Sequence, residues 1–229
     1  MYVKKADASR IYGLELEELL SPNKVDFLVH KDTLIEEHIL GIPGDVFIDE
    51  HLPHLTIREQ KQISKEFVKF NERCTIRLLG DMRSYNYVFV VSHDFDQVQY
   101  RIRAIDFDQQ SYEGSLKIYR PQFFKENAKL VKMVEKSLQT ESIVQYKNEE
   151  RSLLAKRARS SHNRLQKLIE CMLADEISKP EKVLQLRREI KAFTKDINFK
   201  KADSMGEILK LVLDFVTRNY ESANTYIVS

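Results

Sequence analysis

Cysteine is scarce in this 229-residue sequence: Cys74 and Cys171 lie far apart and outside any C-x-x-C spacing. That excludes a zinc ribbon and a disulfide scaffold, and it fits a reducing compartment. An excess of one charge is missing too. Lys and Arg number 37 against 35 Asp and Glu, a balance of +2, which does not mark a dedicated nucleic-acid or membrane-surface binder. No stretch approaches the roughly 20 apolar residues a membrane span needs. Met1-Tyr2-Val3-Lys4-Lys5 runs straight into a charged segment instead of the apolar centre of a signal peptide. Internal repeats and low-complexity linkers are also lacking. What is present suits a globular chain: 42% hydrophobic and 31% charged residues, at a length that buries roughly 70–75% of its unfolded surface. The expectation is a soluble, cytoplasmic protein with no membrane partner, built as one two-lobed α+β domain.

The two halves differ in kind. Met1 to Lys5 reads as a short strand, and Asp7 or Ser9 can cap a helix with Ile11, Leu14, Leu16, Leu19 and Leu20 on its buried side, stopped by Ser21-Pro22. Lys24 to His30 and Thr33 to Leu40 read as two strands around a Lys31-Asp32 turn. Gly41 to Asp45 is a loop, and Thr56 to Cys74 a helix with a charged outer face. Tyr87 to Val91 and Val98 to Ile105 are β-rich runs flanking the polar turn His93 to Gln97, and so form a hairpin. Beyond Pro121 four helices are expected, at about 121–138, 143–174, 180–195 and 204–220, with Pro180 in the first turn of the third. Residues 1–40 thus form a small sheet-bearing part. Residues 41–229 form a mainly helical part that carries the hairpin.

The chemistry concentrates at one end of that hairpin. The loop Leu79 to Asn86 enters it with Asp81 and Asn86; the loop Asp106 to Gly114 leaves it with Asp106 and Asp108. Two carboxylates and a carboxamide at the end of a rigid element suit Mg²⁺, which takes one or two carboxylates and leaves its other positions to water and phosphate oxygens. Asp81 then stays free to accept a proton from an attacking hydroxyl, the division of labour that phosphoryl transfer needs.

With L-G-D-M-R-S-Y-N at Leu79 to Asn86 and R-A-I-D-F-D at Arg103 to Asp108, the chain resembles the protein-kinase-like superfamily, in its aminoglycoside phosphotransferase and RIO-type atypical kinase branches. The resemblance implies a reduced N-terminal β lobe, a helical C-terminal lobe and ATP with Mg²⁺ as cofactors. Asp81 would be the catalytic base, and Arg83 would face the transferred phosphate. Asn86 and Asp106 would hold the metal, with Asp108 binding a second one. Upstream, Lys4 or Lys5 would be the phosphate-binding lysine, with Glu15 or Glu18 as its partner, and the backbone around Glu37 to Ile39 would receive the adenine. The acceptor would be a small molecule or a protein hydroxyl.

The sequence departs from the family in three places. Leu79 stands where histidine is usual, and Asp108 replaces the glycine of D-F-G. Gly13 is the only glycine before Gly41, so the glycine-rich loop has no counterpart; the chain either starts downstream of its true beginning or carries a trimmed fold. Two alternatives follow. One is a catalytically inactive, pseudokinase-like binding or scaffold protein. The other is a D-x-D glycosyltransferase, with Asp106 and Asp108 on the metal of a sugar nucleotide; it requires a larger parallel sheet. Elsewhere, His51-x-x-His54 beside Glu50 reads as a surface loop. Lys156, Arg157, Arg159, Arg164 and Lys167 read as a solvated helix face.

Overall fold

A computed structural model describes residues 1–94 and 97–220, except for the side chains of His93, Asp94 and Gln97. The tip of the expected 93–97 turn lies outside that description. The first strand, β1 (Tyr2–Lys5), leads into α1 (Ala8–Leu20), and β2 (Phe27–His30) and β3 (Thr33–Glu36) follow. These three strands make an antiparallel sheet in the order β1-β3-β2. A second antiparallel sheet, β4-β5-β6, joins β4 (Ile42–Pro43) to the hairpin β5 (Tyr87–Asp94) and β6 (Gln97–Ala104). Between β4 and β5 in sequence lie a short helical segment, in which α2 (Gly44–Val46) runs on to His54, and the long α3 (Ile57–Arg77). The chain ends in α4 (Ala128–Ser137), α5 (Thr140–Ser160), α6 (His162–Ala174), α7 (Pro180–Thr194) and α8 (Met205–Tyr220). Among the described residues no helix is long and apolar enough to cross a membrane.

Local chemistry sets the element ends. Asp7 caps α1 by accepting from the Arg10 amide at 2.9 Å. Thr56 and Glu59 form a reciprocal capping box at the start of α3, which satisfies two of its orphan donors. Leu78 ends α3 in the left-handed region at φ 54°, where the chain turns back into the loop before the hairpin.

Several boundaries depart from expectation. The strand expected over Thr33 to Leu40 ends at Glu36, and the one over Lys24 to His30 begins only at Phe27. The helix expected at 143–174 is broken at Ser161, whose φ −103° and ψ 18° leave the helical region. Ser160 there turns its hydroxyl back onto the Lys156 carbonyl at 3.0 Å, a competition that bends helices. Residues 121–127 are single 3₁₀ turns, because Phe124 is extended at ψ 133° and only Ala128 resumes the α conformation.

Two hydrophobic clusters fill the interior. One gathers Leu14, Leu34, Phe67, Phe70, Tyr87, Phe89 and Phe107 under the sheets; the other gathers Leu16, Leu20, Ile76, Leu154, Met172, Leu186, Phe199 and Ile208 among the helices. Both α1 and α3 contribute to each. Glu17 of α1 and Arg77, the last residue of α3, form an ion pair in which Arg77 is 1% exposed and Glu17 2%. At its far end, α1 is tied to the C-terminus of α6 by Tyr12 Oη donating to Asp175 at 3.1 Å.

Two outcomes follow from this anchoring. Glu17→Gln or Arg77→Met leaves one buried charge uncompensated and lowers stability by about 3–5 kcal/mol, whereas the double replacement by methionine costs less than the sum; urea unfolding measures both, and additive losses would contradict the pairing. Burial first, then the hydrogen bond to Asp175, pushes the Tyr12 phenol up to about 12. The native state therefore holds this proton more tightly than the unfolded chain. Stability from Tyr12 is present below pH 10 and lost as pH rises towards 12. Denaturation of Tyr12→Phe between pH 9 and 12 shows a shallower decline than wild type; an identical slope would refute the assignment.

Candidate functional site

The loops that flank the hairpin are sewn together. Leu79 pairs with Gln110 across an isolated antiparallel bridge, the Gly80 amide donates to the Gln109 carbonyl at 3.1 Å, and the Ser111 amide donates to the Leu78 carbonyl at 2.8 Å. Leu79 itself is fully buried in the cluster under the sheets, so apolar packing braces this loop. Asn127, also fully buried, adds a polar brace. It donates to the Met82 carbonyl at 3.0 Å and to the Pro121 carbonyl at 2.8 Å, and it accepts from Tyr87 Oη at 2.7 Å.

On this support, Asp81 stands in the left-handed region at φ 56°, sparsely populated by residues other than glycine, though aspartate enters it more readily than most. One carboxylate oxygen accepts from Arg83 Nε at 2.8 Å, and its backbone carbonyl accepts from Asn86 Nδ2 at 2.7 Å. Arg83 also reaches Glu126 at 3.2 Å and lies over the Phe124 ring at 5.3 Å. Asp81 and Asn86, singled out by their spacing, and Arg83, implied by the resemblance, therefore form one hydrogen-bonded group.

A cleft of about 280 Å³ opens beside them, lined by Lys4 and Glu36 from the first sheet, Glu37 to Ile39 and Gly41 from the connection, and Asn86 and Asp106 from the loops. The register settles which lysine faces it. Lys4 lies opposite Leu34, and Tyr2 lies opposite Glu36, on one face of the sheet; Lys4 Nζ pairs there with Glu36 at 2.9 Å. Lys5 is exposed and sits on the other face. Glu15 and Glu18 are not brought to either lysine. Both project to α6, where Arg164 meets Glu15 at 2.7 Å and Glu18 at 2.9 Å; the hydrogen bond from Arg164 holds the Glu18 carboxyl below its usual range. Glu36 takes the place expected of them. Its place two residues after Leu34, on the same face of a period-2 strand, was the available signal.

Arg10 is the residue that spacing did not reveal. Its guanidinium lies 3.7 Å from Asp106 and 3.5 Å from Asp108, and it also holds Asp7 at 3.0 Å. Gly13, one turn further along α1, makes this possible: a Cβ there would sit 2.8 Å from Phe107 Cβ and 3.2 Å from the Phe107 carbonyl oxygen. Burial first, then the neighbouring Asp106, raises the Asp108 carboxyl above its usual range, and Arg10 opposes the rise.

The set fits Mg²⁺ by donor chemistry. Asp106 Oδ1 is buried without a hydrogen-bond partner, and Asn86 adds a carboxamide in the same cleft. Among the described residues no group of three or more His, Cys, Asp or Glu side chains could hold a metal. A site completed by water and phosphate oxygens needs no such group. His51 and His54 gain no third ligand. A larger cavity of about 540 Å³, between the end of α5, α6 and α8, is remote from these loops and lacks their convergent carboxylates. Compared with protein-family models, curated proteins and solved structures, the chain matches none.

Gly13→Ala forces α1 off Phe107. We expect a loss of about 1–3 kcal/mol and weakened contact between Arg10 and the two aspartates, read as changed backbone amide shifts at Asp106 and Asp108. Unchanged stability and shifts would show that the approach is not tight.

Proposed function

We propose that the cleft binds ATP as its Mg²⁺ complex, and that the protein is a kinase-like phosphotransferase that moves the γ-phosphoryl group to an acceptor hydroxyl. The observation that supports this most is the meeting, in one cleft, of Lys4 paired to Glu36, Asn86 beside Asp81, and Asp106 with a buried carboxylate oxygen that accepts no hydrogen bond. Lys4, kept in place by Glu36, neutralises phosphate charge. The backbone from Glu37 to Ile39 and the apolar side chain of Ile39 receive the base. Asn86 and Asp106 would hold the metal, with Asp108 beside them; the ion, when bound, offsets the negative charge of the phosphates. Asp81, oriented by Arg83, accepts the hydroxyl proton, and Arg83 lies where phosphate charge passes.

A second reading, nucleotide binding without turnover, draws on Arg10, whose positive charge already sits on Asp106 and Asp108. The D-x-D glycosyltransferase reading gains no support: every strand pairing among the described residues is antiparallel.

Calorimetry with ATP tests the proposal. Binding strengthens with Mg²⁺ and vanishes in Asp106→Ala. Asp81→Asn keeps binding but slows ATP turnover about 10²-fold or more. Mg²⁺-independent binding that survives Asp106→Ala would overturn the metal assignment; binding with no turnover in wild type would leave the second reading.

A further inference from the structure

The place where a divalent cation would meet Asp106 and Asp108 is claimed by one end of the Arg10 guanidinium. The contacts are loose: 3.7 Å and 3.5 Å are charge contacts longer than hydrogen bonds. Arg10 Nε is buried without a hydrogen-bond partner, and Asp106 Oδ1 has no contact closer than this 3.7 Å charge contact with Arg10 to satisfy it. One guanidinium thus serves three carboxylates, those of Asp7, Asp106 and Asp108, and leaves an excess of negative charge that a divalent ion would balance better. The firm hold on Arg10 is at its other end. Asp7 accepts from its backbone amide at 2.9 Å and from Nη1 at 3.0 Å, so Nη2 can leave the aspartates without α1 moving.

We propose that Arg10 is a built-in counter-ion that competes with divalent metal for Asp106 and Asp108, and that it couples metal binding to polyphosphate binding. The proposal rests on the cleft being a metal–nucleotide site. With no anion present, Arg10 remains on the aspartates and the metal is weakly held. When phosphates enter, their oxygens draw the guanidinium across, and the vacated carboxylates take the ion. Metal and nucleotide then strengthen each other by the same factor, as linkage requires. The α1 backbone behind Arg10 is held by the close approach of Gly13 to Phe107 and by the ion pair of Glu17 with Arg77. The fold thus fixes where Arg10 starts, and only its guanidinium has to move.

Mn²⁺ binding to the full chain, followed by electron paramagnetic resonance, tests this without reference to turnover. In the absence of nucleotide, Arg10→Met binds Mn²⁺ about tenfold more tightly than wild type, a modest gain beside the attraction of unit charges at this range. Arg10→Lys, which keeps the charge and secures the comparison against misfolding, stays close to wild type. Adding Asp106→Asn to Arg10→Met abolishes the gain. With ATP present, the difference between wild type and Arg10→Met narrows. If Arg10→Met binds Mn²⁺ no more tightly than wild type while wild type binds Mn²⁺ with ATP, the competition is refuted and the site reading stands. If Mn²⁺ binds none of these proteins even with ATP, the site reading falls and the proposal with it.

Discussion

The buried ion pair between Glu17 and Arg77 fixes everything that the cleft needs from α1. Two charges removed from water are costly to separate, so α1 is held at Glu17 against the end of α3. The Arg77 carbonyl is itself held by Gln110 Nε2 at 2.5 Å, which carries the constraint into the loop after the hairpin. A second buried pair, Arg73 with Glu150 at 2.8 Å, binds α3 to α5 in the same way. Helices that also line the two hydrophobic clusters are thus keyed by charge as well as by shape.

From that anchor the electrostatics of the cleft follow. Gly13 lets α1 approach Phe107 closely, and Arg10 arrives over Asp106 and Asp108 as a result. On the opposite wall Lys4 is neutralised by Glu36, which is 4% exposed. Lys4 in the cleft, and Arg10 on the cleft-lining Asp106, are thus cations already paired with acids, and an entering anion must compete for both. That arrangement suits a ligand bringing several negative charges and a counter-ion of its own, which is why a metal–polyphosphate complex is the proposed occupant.

Much of the fold was legible because local chemistry decided it. Asp7 as a cap, Pro180 at the start of α7 and the hairpin from Tyr87 to Ala104 all lie where pattern and capping rules put them. The break at Ser161 and the 3₁₀ turns of 121–127 were not legible. Serine is a weak breaker, and the hydroxyl of Ser160 decides the local geometry only once the helix exists. Within the site, D-x-x-x-x-N marked Asp81 and Asn86, which lie in one hydrogen-bonded group. Lys4 could be told from Lys5 only by strand register. Glu36 was overlooked for Glu15 and Glu18 because a helix was expected to supply the acid. Arg10 carried no signal in the sequence; its contact with Asp108 joins residues almost a hundred positions apart, which no local pattern encodes.

The most direct test of the central claim is amine labelling of the intact protein, read by mass spectrometry at Lys4 and Lys5 with and without Mg²⁺ and ATP. The account predicts that nucleotide and metal together protect Lys4, while Lys5, on the opposite face of the same strand, labels equally in both conditions. Equal labelling of Lys4 with and without them would contradict the cleft as the nucleotide site.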